Sequence, residues 1–103
     1  MVFDVSKVSG IGEYTTDVVS LGEGVDAEEV TIYKVSEKAF LVVRKNTIEV
    51  RSDDKLSRLL REKYESVMES RYFGRGGIEI VNSGQLAENE IDDLVRLSYS
   101  LTQ

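Results

Sequence analysis

The stretch from Ala39 to Tyr64 constrains the fold more than any other. Ala39-Phe40-Leu41-Val42-Val43 is apolar at every position, Lys45-Asn46-Thr47 is polar, and Ile48-Glu49-Val50-Arg51 alternates. A short, wholly apolar run suits a strand covered on both faces or central in its sheet. Asn46 tolerates φ > 0, so the polar link reads as a tight turn. The alternation buries Ile48 and Val50 and points Glu49 and Arg51 outward. Ser52 or Asp53 then offers a side-chain oxygen to an exposed N–H of a following helix. Leu56, Leu59, Leu60, Tyr64 and Val67 form the buried stripe of that helix, which the spacing predicts over 53–66. Asp54–Arg58, Arg58–Glu62 and Arg61–Glu65 lie four apart on its other faces, each pair contributing only about 0.2–0.5 kcal/mol.

Upstream, Val30-Thr31-Ile32-Tyr33-Lys34-Val35 alternates and is rich in β-branched and aromatic residues, so it reads as a strand. Ser36-Glu37-Lys38 links it to the apolar run, giving an antiparallel meander of strands near 30–35, 39–44 and 48–51. Residues 1–29 fit no template well. Val2, Phe3, Val5 and Val8 are irregularly spaced, Gly10, Gly12, Gly22 and Gly24 interrupt, and only 17–21 reads as a candidate strand. Downstream, Glu69 to Arg75 is polar and aromatic, 77–81 reads as a further strand, and Asn82-Ser83-Gly84 is a loop. Leu86 is placed to staple a last helix over 87–101, whose early carboxylates suit the positive end of its dipole. Its stripe is Ile91, Leu94, Val95, Ser98 and Leu101. The expected class is α+β: one domain, a two-layer sandwich, with an antiparallel sheet carrying both helices on one face.

At 103 residues the chain has room for one core, not for a core plus a deep enclosed site. It has no cysteine and no histidine. A Ser–His or Cys–His arrangement therefore cannot be built, and zinc loses its two best ligands. The longest apolar run is far short of the ~20 residues of a membrane span, and no signal peptide is visible, so the default location is cytoplasmic. The net charge of −6 argues against nucleic acid, but it is uneven. Residues 1–43 hold three Lys/Arg against eight Asp/Glu, residues 44–75 nine against six, and residues 76–103 one against five. The middle third is locally basic.

Gly22-Glu23-Gly24-Val25-Asp26-Ala27 matches a G-x-G-x-x-A dinucleotide pattern literally. That pattern needs a helix directly behind it, and a strand begins by Val30, so a surface loop is the better reading. Asp53-Asp54 and the Glu88, Glu90, Asp92 and Asp93 group lack the spacing of a calcium loop and read as caps and a solvated face. No catalytic residue, cofactor site or metal site is assigned, and the chain is expected not to be an enzyme. The suggestive stretch is Ser70 to Gly77, where arginines alternate with aromatics and glycines. Aromatic faces stack on bases and guanidinium groups pair with phosphates. The plainer alternative has Tyr72 and Phe73 plugging the core while the arginines stay solvated.

The segments Val30–Val35, Phe40–Val43, Ile48–Asp53, Leu60-Arg61-Glu62-Lys63-Tyr64, Gly77–Val81 and Leu94 to Leu101 together resemble the MmcQ/YjbR-like family. The resemblance covers about 70 residues, largely as core pattern. It implies a double-wing α/β arrangement, a fold often labelled DNA-binding. The His-Trp pair usual before the family's fifth strand has no counterpart in Gly74 to Gly77. Two expectations follow. One is a non-catalytic binding domain for nucleic acid, with Arg44, Lys45, Arg51, Arg71, Tyr72 and Arg75 as candidate contacts. The other is a protein-interaction or homodimer module using an exposed edge strand, with Val30–Val35 as the candidate edge.

Overall fold

A computed structural model describes residues 3–82 and 84–103. The sequence readings at Val2 and Ser83 lie outside the described residues. The chain runs β1 (Thr15–Leu21), β2 (Glu28–Val35), β3 (Lys38–Val43), β4 (Thr47–Arg51), α1 (Asp54–Lys63), β5 (Val67–Ser70), β6 (Gly74–Val81) and α2 (Glu88–Leu101). The strands form one six-stranded sheet in the order β1-β2-β3-β4-β6-β5, with every pairing antiparallel. This is an α+β fold.

The expected meander is present. β2 and β3 are joined by Ser36 and Glu37, both at left-handed φ (51° and 67°), the backbone that a two-residue hairpin turn needs. Asp53 caps α1 by accepting from the Leu56 N–H at 2.8 Å. The candidate strand at 17–21 is the regular β1, seven residues long.

Four expectations are corrected. Val30–Val35 is no edge, because β1 pairs along β2 in an unbroken register from Thr15↔Lys34 to Leu21↔Glu28. The first helix stops at Lys63 rather than residue 66, and Val67 belongs to β5. Val67-Met68-Glu69-Ser70 has no clean alternation, and only pairing with β6 makes it a strand. Leu59 is 55% exposed and lies off the buried stripe of α1, whose one fully buried residue is Ser57, hydrogen-bonded to Ser52. Glu49, expected to point into solvent, is fully buried.

One face of the sheet presents Leu41, Val43, Ile48, Val50, Ile78 and Ile80, all buried. α2 packs Ile91, Val95 and Tyr99 into this cluster, and α1 adds Leu60 at its margin. The Phe40 and Tyr99 rings meet edge to face at 5.0 Å. Ser98 ties α2 to two strands, donating to the Phe40 carbonyl at 2.6 Å and accepting from the Arg51 N–H at 2.8 Å. Val5 and Val8, illegible by spacing, close the end of this cluster. The residues between these positions point to the opposite face. There Val30, Ile32, Ala39 and Val42 form a second cluster with Val19, Leu21 and Phe73 against it.

Candidate functional site

The second face of the sheet gathers three of the six candidate contacts, Arg44, Arg51 and Arg71. β4 lies between β3 and β6, and its register sets Glu49 directly opposite Glu79 on the neighbouring strand. Both are buried. Two carboxylates in direct cross-strand register repel each other and must be compensated. Two arginines do so. Arg44 Nε donates to Glu49 Oε2 at 2.5 Å, and Arg44 Nη1 donates to Glu28 Oε1 at 3.0 Å. Arg71 forms a two-pronged pair with Glu79, at 2.9 and 2.7 Å.

The remaining lone pairs are filled from the backbone and from hydroxyls. Glu49 Oε1 accepts from the Ser70 hydroxyl at 2.7 Å and the Tyr72 N–H at 2.8 Å. Glu79 Oε2 also accepts from the Thr47 hydroxyl at 2.8 Å. Ser70 Oγ in turn accepts from the Phe73 N–H at 2.8 Å. Among the described residues no buried side-chain nitrogen or oxygen lacks a partner. The network stitches the β1–β2, β3–β4 and β5–β6 hairpins across one face.

The chain between β5 and β6 folds back to form the lid of this face. Gly74 takes φ +62°, where a side chain is strained. Phe73 then lies over Gly77, where an added Cβ would come within 2.8 Å of the Phe73 Cβ and 2.5 Å of the Val50 carbonyl. Arg51 is clamped under the same ring, its guanidinium carbon 4.9 Å from the Phe73 centroid while Nε donates to the Ala39 carbonyl at 2.6 Å.

The six candidate nucleic-acid contacts therefore divide. Arg44, Arg51 and Arg71 converge on this face, but each guanidinium is engaged by protein carboxylates or a carbonyl. Lys45, Tyr72 and Arg75 are exposed, and Tyr72 stacks edge-on against Phe73. Sequence reasoning missed the carboxylate half, Glu28, Glu49 and Glu79. The signal that could have found it is the Arg-rich Ser70–Gly77 stretch itself, since cations gathered beside strands whose outward residues are glutamates are a counter-charge set.

The electrostatics follow from these contacts. Burial pushes the Glu79 carboxyl up, but the hydrogen bonds from Arg71 and Thr47 outweigh it and hold the carboxyl below the usual glutamate range. Glu28 is lowered in the same way, burial opposing and Arg44 and the Lys45 N–H prevailing. Arg71 is raised, chiefly by its hydrogen bond to Glu79. Carboxylates held ionised with their lone pairs occupied are poor general bases and poor metal ligands. No group of three or more acidic side chains poised for a metal ion occurs among the described residues.

No family model, curated protein or solved structure matches this chain. Among the described residues no helix is long and apolar enough to cross a membrane.

The two edges of the sheet differ. β1 presents residues 15–18 and 20 exposed, with Val18 62% exposed. The other edge, β5, is four residues long, breaks register between Glu69 and Ser70, and is flanked by α1 through an Arg61–Glu69 ion pair at 3.8 Å. Short length, a bulge and nearby charge are the usual devices that keep an edge from pairing. β1 has neither a bulge nor a proline, and its one charge, Asp17, is engaged by Lys34 of β2 at 2.9 Å.

Proposed function

We propose that this chain is a non-catalytic protein-interaction module, a two-layer α+β scaffold that takes an extended chain segment alongside β1. The observation behind this reading is the contrast between the edges: a regular, seven-residue, exposed β1 against a short, bulged and flanked β5. An open strand edge offers a row of main-chain donors and acceptors that an incoming strand satisfies, and alternate side chains give selectivity. The absence of histidine and cysteine from the sequence favours binding over catalysis. A nucleic-acid surface, which the family resemblance would suggest, has less behind it: the three best-placed guanidinium groups are spent on Glu28, Glu49, Glu79 and the Ala39 carbonyl.

The test is a titration of isotope-labelled protein with a capped, uncharged peptide of alternating threonine and valine. Amide shifts concentrated in Thr15–Leu21 and absent from Val67–Ser70 are expected. Parallel titrations with single- and double-stranded DNA are expected to show no binding. Tight DNA binding that falls steeply with added salt, centred on Lys45 and Arg75, would replace the strand-docking reading with a nucleic-acid one.

A further inference from the structure

The charge around the open edge names the kind of segment that fits it, an inference that rests on the strand-docking reading above. Residues 12–29 contain six carboxylates and neither lysine nor arginine. Two of these are used within the fold: Glu28 binds Arg44 and Asp17 binds Lys34. Glu13, Glu23, Asp26 and Glu29 are exposed, and Glu13 and Glu23 flank β1 at its two ends. Between them the strand is neutral apart from the paired Asp17, with Val18 as its exposed apolar centre.

In the register of greatest overlap, a second copy of the chain meets like charge at this edge. Paired strands in a sheet keep their side chains on matching faces, so a two-fold antiparallel self-pairing must be centred on a residue. The register that overlaps all of β1 is centred on Val18, and at both ends it brings Glu13 of one copy towards the turn of the other that carries Glu23, just past Gly22 at φ +95°. Centring on Asp17 instead sets that carboxylate against its own copy. Like charges in direct cross-strand positions are destabilising, and opposite charges there are favourable.

We infer that the β1 edge accepts an extended segment of another protein that carries Lys or Arg at either end of a short run of β-forming residues. Its basic ends meet Glu13 and Glu23, and its central side chain covers Val18. Exposed ion pairs of this kind add little each, but two together with the acidic surroundings bias the choice of partner and speed encounter.

The experiment compares two capped threonine-valine peptides of equal length. One has a lysine and the other a glutamate at each end, placed to reach just past the ends of β1 towards Glu13 and Glu23. Affinity is read by fluorescence anisotropy and location by amide shifts in labelled protein, with sedimentation run alongside. The lysine-ended peptide is expected to bind at Thr15–Leu21 roughly tenfold more tightly than the glutamate-ended one, with the gap closing as salt rises. The double variant Glu13→Lys, Glu23→Lys, changed only at exposed positions, is expected to reverse the preference. Equal binding of both peptides at β1 overturns the basic-partner inference and leaves strand docking intact. Self-association through β1 does the same. Binding of neither peptide by a monomeric protein overturns both, and so do shifts confined to other surfaces.

Discussion

Ile48 and Glu49 are neighbours on β4, both fully buried, and they belong to opposite faces of the sheet. Ile48 enters an apolar cluster closed by α2. Glu49 enters a network of ion pairs closed by the turn between β5 and β6. The first face is held by shape and by removal of apolar surface from water, which tolerate small changes gradually. The second is held by mutual satisfaction of charges in a place of low dielectric, where losing one member strands the others. The same sheet therefore has one forgiving side and one brittle side.

The sharpest way to break this contrast is Glu49→Ala. It leaves Arg44 buried with Glu28 as its remaining carboxylate, and it removes the acceptor for Ser70 and for the Tyr72 N–H. Breaking a buried pair by removing one partner costs about 3–5 kcal/mol. A large fall in the urea midpoint is expected, along with faster amide exchange in residues 70–73. A loss below about 1 kcal/mol would mean that the face is well hydrated in solution.

How much of each face could be read from the sequence follows the same division. The helix-facing side was legible because its residues obey local periods: Ile48 and Val50 alternate, and Ile91, Val95 and Ser98 recur at helical spacing. The period holds at these positions, while Leu59 of α1 and Leu101 of α2, which the same spacing assigns to the buried stripes, are exposed. The charged side was not legible because the same period-two rule assigns Glu49 to solvent. What buries it is non-local: β4 is central only because β6 joins it from thirty residues downstream, and Phe73 folds over Gly77. Arg44 and Arg71 are visible in the sequence as cations, but their partners lie on other strands. β1, with two threonines, an aspartate and a serine, carries a weak strand signal, and its place at the edge comes from topology alone.

A smaller effect is expected from Arg71→Ala, which removes a half-exposed partner from buried Glu79 while Thr47 remains. A loss of about 1–3 kcal/mol is in line with a buried acceptor that loses its charged donor. The variant also alters the pH profile. In the parent protein Glu79 and Glu28 titrate below their unfolded values, so their contribution is complete above the unfolded glutamate pKa of about 4.3 and is lost as pH falls through the depressed folded values. Arg71→Ala raises the folded Glu79 value, so its stability curve should be flatter between neutral and acid pH. Urea midpoints collected from neutral pH down to the acid limb check this. Parallel curves for parent and variant would show that the Arg71–Glu79 pair contributes nothing to acid sensitivity.

The smallest effect belongs to the other side of the same strand. Ile48→Val removes one buried methylene from the apolar cluster and no polar contact. Such trims cost about 0.5–1.5 kcal/mol, the spread depending on how far the surroundings close the gap. The cluster around Ile48 contains no carboxylate or cation, so the loss should be the same at neutral and acid pH and at low and high salt. That invariance, set beside the pH-dependent loss in Arg71→Ala, separates the two faces more cleanly than the magnitudes do. Both variants lower stability, but only the one on the network side should change the shape of the acid limb. If Ile48→Val also flattened that limb, the two faces would be coupled through β4, and a defect on either side would loosen both.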